Sequence, residues 1–294
     1  MAVIGTNVAS LRAANASTSA NLALQTSMER LSTGARINSA KDDAAGMAIS
    51  DTMTAQIRGM NQGIRNANDG IAMAQTAEGA LGEVNNMLQR VRELTVQATS
   101  GTYSSSDKTN MQAEVTALSA QITSTLANTQ FNGNKLFDAT AGTVTAAVPA
   151  GVAPAPVTPA VPAYSTIKIQ AGANASDSIN LKLADLKNDT TITAATGLDL
   201  TTATNTALTT VDTALKTVST YRAGLGAAQN QLQSAVNNLT TNSTNLTAAK
   251  SQITDADFSS ETTNLAKAQI LSQASTAMLA QANQSQQGVM KLLQ

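Results

Sequence analysis

All five prolines of this 294-residue chain lie between Pro149 and Pro162, inside AVPAGVAPAPVTPAVPA. A proline in a helix interior removes a backbone hydrogen bond and clashes with the preceding turn, at a cost of about 3 kcal/mol. The long segments on either side carry none, so both are free to be helical over great lengths. The Pro-Ala-Val tract itself is expected to be an extended, solvent-exposed excursion.

Both flanks have helical periodicity. In the first, Met53, Ile57, Met60, Ile64, Ala67, Ile71, Ala74, Ala77, Leu81, Val84, Leu88 and Val91 recur at threes and fours, the spacing of one helical face. TSGTYSSSDK then has the composition of a turn, and Met111, Val115, Leu118, Ile122 and Leu126 resume the pattern. So short a connection makes the two helices antiparallel neighbours. Downstream, Val211, Val218, Leu225, Leu232, Leu239, Leu246 and Ile253 are spaced by sevens, with Leu208, Leu215 and Val236 on a companion position. A sustained heptad implies a supercoiled seam. Arg222, Gln229, Ser243 and Lys250 make the companion position partly polar, so an amphipathic helix lying on a core is the competing reading. Either one gives a long helix that needs partners.

Between these blocks the period changes from helix to strand. Ile167 and Ile169 alternate with Lys168 and Gln170, and Ile179, Leu181 and Leu183 alternate with Asn180 and Lys182, with Gly133 and Gly172 at expected turns. This predicts a small hairpin-rich element packed on the helices. Near TDADFSSETTNLAKAQ, Thr254 with Asp257 matches a capping box, and Asp255, Asp257 and Glu261 sit where a helix N-terminus favours acids. Their order lacks the glycine and ligand spacing of a calcium loop.

The two ends carry few charges. From Ala13 to Met28 and from Ala268 to Met290 there is none. Ile4, Val8, Leu11 and Leu22 form a stripe at one end; Ala268, Leu271, Ser275, Met278, Ala282, Ser285, Val289 and Leu292 form one at the other. Such thin helices are marginal alone. The first and last 30 or so residues are expected to order on meeting neighbours, with a hairpin of the two ends within one chain as the competing arrangement.

Composition narrows function by exclusion. Aromatics are 2% of the chain, which argues for thin bundles over a wide core. Lys+Arg number 18 against 19 Asp+Glu, with no basic run, so neither nucleic acid nor an anionic membrane is expected as a partner. There is no Cys and no His, which removes the usual zinc sites, the triads and the commonest general base. Gly224-Leu225-Gly226 lacks the third glycine and the preceding strand of a dinucleotide loop. Asp42 and Asp43 stand beside Arg36 and Lys41, a mixed cluster suited to fixing a turn between helices. No catalytic, cofactor-binding or metal-binding residue is expected, and the N-terminus does not read as a secretory signal.

ERLSTGARINSAKDDAAGMAIS, LQRVRELTVQ, FNGNKLF and ITDADFSSETTNLAKAQILSQASTAMLAQANQSQQGVMKLLQ resemble the bacterial flagellin family. The resemblance implies a mainly α fold: long coiled-coil helices in an elongated rod with a small β-hairpin element, and termini pairing as an antiparallel coiled coil. It divides the chain into an inner N-terminal half with a spoke at 1–43, a rod at 44–254 and an inner C-terminal half at 255–294. The rod would have helices at about 44–99, 105–129 and 205–253, and a β or extended excursion at 130–204, with outer domains absent or vestigial. Ile4, Val8, Leu11, Leu22, Leu271, Met278, Val289 and Leu292 would form the inner assembly interface, and Arg36, Lys41, Asp42 and Asp43 the spoke. Val211 through Ile253 would be the rod seam. Implied partners are other copies of the chain in a helical filament, an export chaperone, and cap and junction proteins. An innate-immune receptor would meet Gln89, Arg90, Leu94, Gln97 and Glu114. Export would run through the flagellar secretion channel, placing the protein outside the cell. The alternatives are an adhesin or carbohydrate-binding homologue, or a filament-junction protein.

Overall fold

The computed structural model describes residues 7–138, 164–174, 176–202 and 205–291, and the side chains within these apart from 164, 165, 286, 287 and 289–291. The fold is mainly α. Helices α1 (Val8–Thr33), α2 (Ala44–Thr99) and α3 (Ser105–Asn128) precede two short strands, β1 (Gln130–Phe131) and β2 (Asn134–Lys135). Strands β3 (Tyr164–Gln170) and β4 (Ser178–Ala184), helix α4 (Thr190–Thr196) and the long helices α5 (Asn205–Thr254) and α6 (Phe258–Lys291) follow. The Pro149–Pro162 tract lies outside the described residues. Two compact units result, one from Met1–Ile57 with Thr244–Gln294, the other from Arg58–Ser243.

In the second unit the heptad residues are core. Val211, Val218, Leu225, Leu232 and Leu239 are buried, and Val218, Leu225 and Leu232 join Leu81, Val84 and Leu88 of α2 and Ile122 and Leu126 of α3. Polar companion residues meet partners across the seam. Gln229 Nε2 donates to Glu78 at 2.8 Å, Arg222 lies 3.9 Å from the same carboxylate, and Ser243 Oγ donates to Asn61 at 3.3 Å. These contacts join polar positions of α2 and α5 along the seam. Ser104 and Asp107 close a reciprocal capping box on α3.

The β element forms as its alternation dictates. β3 and β4 pair antiparallel with Ile167 opposite Leu181 and Ile169 opposite Ile179, and Ile169, Leu181 and Leu183 turn into the core. β1 and β2 close around Asn132 and Gly133, both at positive φ (49° and 80°), the conformation a two-residue hairpin turn requires. The hairpin of β3 and β4 lies against three glycines inside α2. A Cβ on Gly63 would stand 2.8 Å from the carbonyl carbon of Ala171 and 2.9 Å from the nitrogen of Gly172; one on Gly59 would strike Ala173 and one on Gly70 the tip of Ile169. Asn66 Nδ2 donates to Gln170 O at 3.0 Å from the same face. Gly63 allows backbone approach, while Gly59 and Gly70 make room for the side chains of Ala173 and Ile169. The chain leaves this unit's described part at Asp138, where Lys187 N donates to Phe137 O (3.3 Å) and Lys187 Nζ pairs with Asp138 (3.1 Å). It returns at Tyr164, paired with Ala184.

In the first unit α1 and α6 pair with each other, antiparallel. Asn7 Nδ2 donates to Ala282 O (3.2 Å), Ser10 Oγ to Asn283 (3.2 Å) and Ser272 Oγ to Asn21 (2.9 Å). This is the hairpin of the two ends within one chain.

The capping expectation at 254 is corrected. α5 runs unbroken to Thr254, whose hydroxyl bonds back to Lys250 O, and the cap of α6 is Asp257, which accepts from Ser259 N (2.9 Å) and Ser260 N (3.3 Å). The helix start is three residues later than the motif suggested because Thr254 is still held by the turn before it. Helix α4 was not foreseen; Asp189 caps it through Thr191 N at 2.7 Å.

Candidate functional site

The terminal pair has two unlike faces. Small and polar residues make the seam. On α1 the sheltered line is Ser10, Ala13, Ser17, Ala20, Leu24, Ser27 and Leu31; on α6 it is Glu261, Leu265, Ala268, Ser272, Ser275, Leu279 and Ala282. Both lines alternate threes and fours, the geometry of a coiled-coil seam. Between the leucines the seam positions are Ala and Ser, with Glu261 at one end.

Four leucines, Leu24, Leu31, Leu265 and Leu279, belong to the seam; the other large apolar residues point elsewhere. Val8, Leu11 (68% exposed), Leu22 and Met28 on α1, and Ile270, Leu271 and Met278 (64%) on α6, are open to solvent. On α1 the Val8, Leu11, Leu22 stripe runs nearly opposite the seam. On α6, Leu271 and Met278 flank it, while Ala268, Ser275 and Ala282 of the same sequence stripe lie in it. Ile4 and Leu292, and the side chain of Val289, lie outside the described residues. Phe258, 69% exposed on the first turn of α6, and Ile49 on α2 add apolar surface that the sequence pattern passed over.

At the root of the pair the chain forms a clasp. Gly34, in left-handed conformation at φ 71°, ends α1, as glycine commonly does. Arg36 N donates to Thr254 O (2.6 Å), Ala256 N to Gly34 O (3.0 Å), and the Arg36 guanidinium to Ile253 O (2.7 Å). Asp42 closes the following turn by accepting from Asn38 N, Ser39 N and Ser39 Oγ. These bonds, Asn38 first, hold its carboxyl below the ordinary value of 3.8. Asp43 caps α2 through Gly46 N at 2.8 Å. Arg36, Asp42 and Asp43 therefore share one clasp and turn, while Lys41 stays exposed beside them. The rod-seam residues Leu246 and Ile253 are half-buried.

On the second unit, Gln89, Arg90, Gln97 and Glu114 are exposed, whereas Leu94 is 3% exposed and packs with Val91, Ala98, Met111 and Val115. Arg90 bridges Glu114 (2.8 Å) and Glu93 (3.0 Å), and Arg92 meets Asp212 at 2.6 Å. Those partners push both guanidiniums higher still, Arg90 chiefly through Glu114. Among the described residues no three acidic side chains converge to hold a metal ion, and no helix is long and apolar enough to cross a membrane. The geometry offers surfaces for packing.

Comparison with known proteins gives two family matches: the bacterial flagellin N-terminal helical region over residues 4–142 and the bacterial flagellin C-terminal helical region over 208–293. Flagellin of Halalkalibacterium halodurans is 42% identical over 92% of this chain and 91% of its own length. Flagellin of Bacillus subtilis is 42% identical over 99% of each. Flagellin of Xenorhabdus nematophila is longer; it is 41% identical over 64% of this chain, which spans about half (52%) of that protein.

Proposed function

This chain belongs to the bacterial flagellin family, subunits of the flagellar filament, and from that premise we propose that it polymerises through the outward faces of α1 and α6. One observation carries the reading: Val8, Leu11 and Leu22 of α1, nearly opposite the seam, and Ile270, Leu271 and Met278 of α6, outside it, stand in solvent. Each of these residues contributes roughly 1.5–3 kcal/mol when fully buried. Contacts between unlike faces build an open helical polymer when their rotation does not close into a ring. The terminal helices gain most of their stability from neighbours.

In this reading 1–43 and 255–294 line the inside of the filament, the clasp around Arg36, Asp42 and Asp43 is the spoke, and 44–254 forms the rod. The subunit leaves the cell through the flagellar secretion channel, attended by an export chaperone, and meets cap and junction proteins at the filament's ends. Gln89, Arg90, Gln97 and Glu114 offer a polar surface to an innate-immune receptor; Leu94 supplies the core beneath it. Flagellins are structural proteins, which points to a role without catalysis.

The test is electron microscopy of the full chain under polymerising conditions beside a truncation lacking 268–294. The parent is expected to form helical filaments and the truncation to remain helical and monomeric. Filaments formed equally well by the truncation would overturn the reading.

A further inference from the structure

This chain concentrates its oxidation chemistry in one side-chain type. It has no Cys, His or Trp, and it has 10 Met. The thioether is therefore the group that a two-electron oxidant meets. Of the methionines whose side chains are described, Met28 on α1 and Met278 on α6 alone are exposed, at 56% and 64%. Met60, Met73 and Met111 are buried in the second unit, and Met47, Met53 and Met87 are half-buried. Oxidation follows exposure, so reactivity falls on two residues, one in each terminal helix.

Their places matter. Met28 follows the seam residue Ser27, and Met278 precedes the seam residue Leu279. Each borders the seam and belongs to the same solvent-exposed apolar set as Leu11, Leu22 and Leu271. Leucine fills a comparable volume, so packing alone does not require sulfur at either place. Methionine adds a flexible contact that adapts to a neighbour, and it adds a reactive lone pair.

We propose that Met28 and Met278 form a reversible oxidation site for hydroperoxides, and that their sulfoxides keep the subunit from polymerising. The sulfur lone pair attacks the terminal oxygen of the hydroperoxide, and the S–O bond forms as the O–O bond breaks. Sulfur gives up two electrons and the peroxide is reduced. Its proton passes to the departing oxygen, which leaves as an alcohol or, from hydrogen peroxide, as water. The product is a polar S=O group where an apolar thioether stood. On the free subunit water solvates it, and the fold is unharmed. At a subunit contact it is a buried acceptor without a donor, which is costly. A sulfoxide reductase restores the thioether with its own thiols: the oxygen leaves as water while two thiols become a disulfide. The block on assembly rests on the outward-face reading proposed above; the selectivity of oxidation does not.

The test begins with the full-length subunit exposed briefly to hydrogen peroxide and mapped by peptide mass spectrometry. Sulfoxide should build up at Met28 and Met278 at least about tenfold faster than at Met60, Met73 and Met111; equal rates overturn the site. The oxidised subunit should keep its circular dichroism and lose filament yield about tenfold, the factor that an unsatisfied buried acceptor implies. Loss of helix would overturn the proposal, because oxidation would then act on the fold. The double variant Met28→Leu, Met278→Leu should still polymerise after the same peroxide dose. Treating the oxidised parent with reductases for both sulfoxide epimers should restore its yield. A block that persists in the double variant, which keeps the other methionines, overturns the assignment. Leu11→Ser and Leu271→Ser, which peroxide leaves alone, separate the two ideas. If they prevent polymerisation while the oxidised parent assembles normally, the oxidation block alone fails. If they polymerise as the parent does, the outward-face reading fails and the block falls with it.

Discussion

Gly63 and Gly79 lie in the same long helix, and replacing each with alanine should move stability in opposite directions. An interior helical Gly→Ala change gains about 1 kcal/mol from reduced backbone entropy and better propensity. At Gly79 nothing lies within 4 Å of the new Cβ, so the full gain of about 1 kcal/mol should appear. At Gly63 the new Cβ would stand 2.8 Å, 2.9 Å and 3.0 Å from backbone atoms of Ala171 and Gly172. Backbone cannot rotate away as a side-chain tip can, so the hairpin loop must lift. Overpacking of this kind costs about 1–3 kcal/mol, leaving a net loss of up to about 2 kcal/mol after the propensity gain. The two variants should thus differ by about 1–3 kcal/mol in urea unfolding followed by circular dichroism. Amide exchange supplies the local readout. Ala171 N, which donates to Asp177 O at 2.8 Å, should exchange faster in Gly63→Ala and be unchanged in Gly79→Ala. Equal stabilisation by both substitutions, with Ala171 still protected, would refute the seating of the hairpin on α2.

Leu232→Ala should cost about 2–5 kcal/mol, since Leu232 is fully buried and leaves a cavity; the same change at half-buried Leu246 should cost clearly less in the same unfolding assay. The Asp42 turn should give acid sensitivity of known sign. Its carboxyl is lowered in the folded state by its bonds to Asn38 and Ser39, so its stabilisation is present above the ordinary value of 3.8 and is lost as pH falls through the lower folded value. Asp42→Asn should flatten that part of the stability–pH profile, and an unaltered profile would count against the turn's role.

What the sequence made legible followed from how strict each pattern was. Seven residues in step from Val211 to Ile253 specify one helix face, and the five from Val211 to Leu239 are buried in that order. The alternation at Ile167–Ile169 and Ile179–Leu183 likewise specified the hairpin and its inward face. The terminal seam was harder to read because hydrophobicity weights large residues, while a close antiparallel pair buries small ones. Leu11 and Leu22 therefore drew attention away from Ala13, Ser17, Ala20 and Ser27, which face α6. Gly59, Gly63 and Gly70 are three of the six glycines in α2, and what sets them apart is a hairpin about a hundred residues away. Glu261 looked like one more acid at a helix start; its burial against Arg30 depends on a fold that brings the two ends of the chain together.

The exit and return of the chain around residues 139–163 have a practical consequence. Phe137 and Asp138 are tied to Lys187, and Tyr164 to Ala184, only three positions along the same strand-and-turn. Each doubling of a connecting loop adds only about 0.6 kcal/mol of closure entropy. Foreign peptides of widely different length should therefore be graftable there, turning the subunit into a carrier whose cargo is multiplied once per copy.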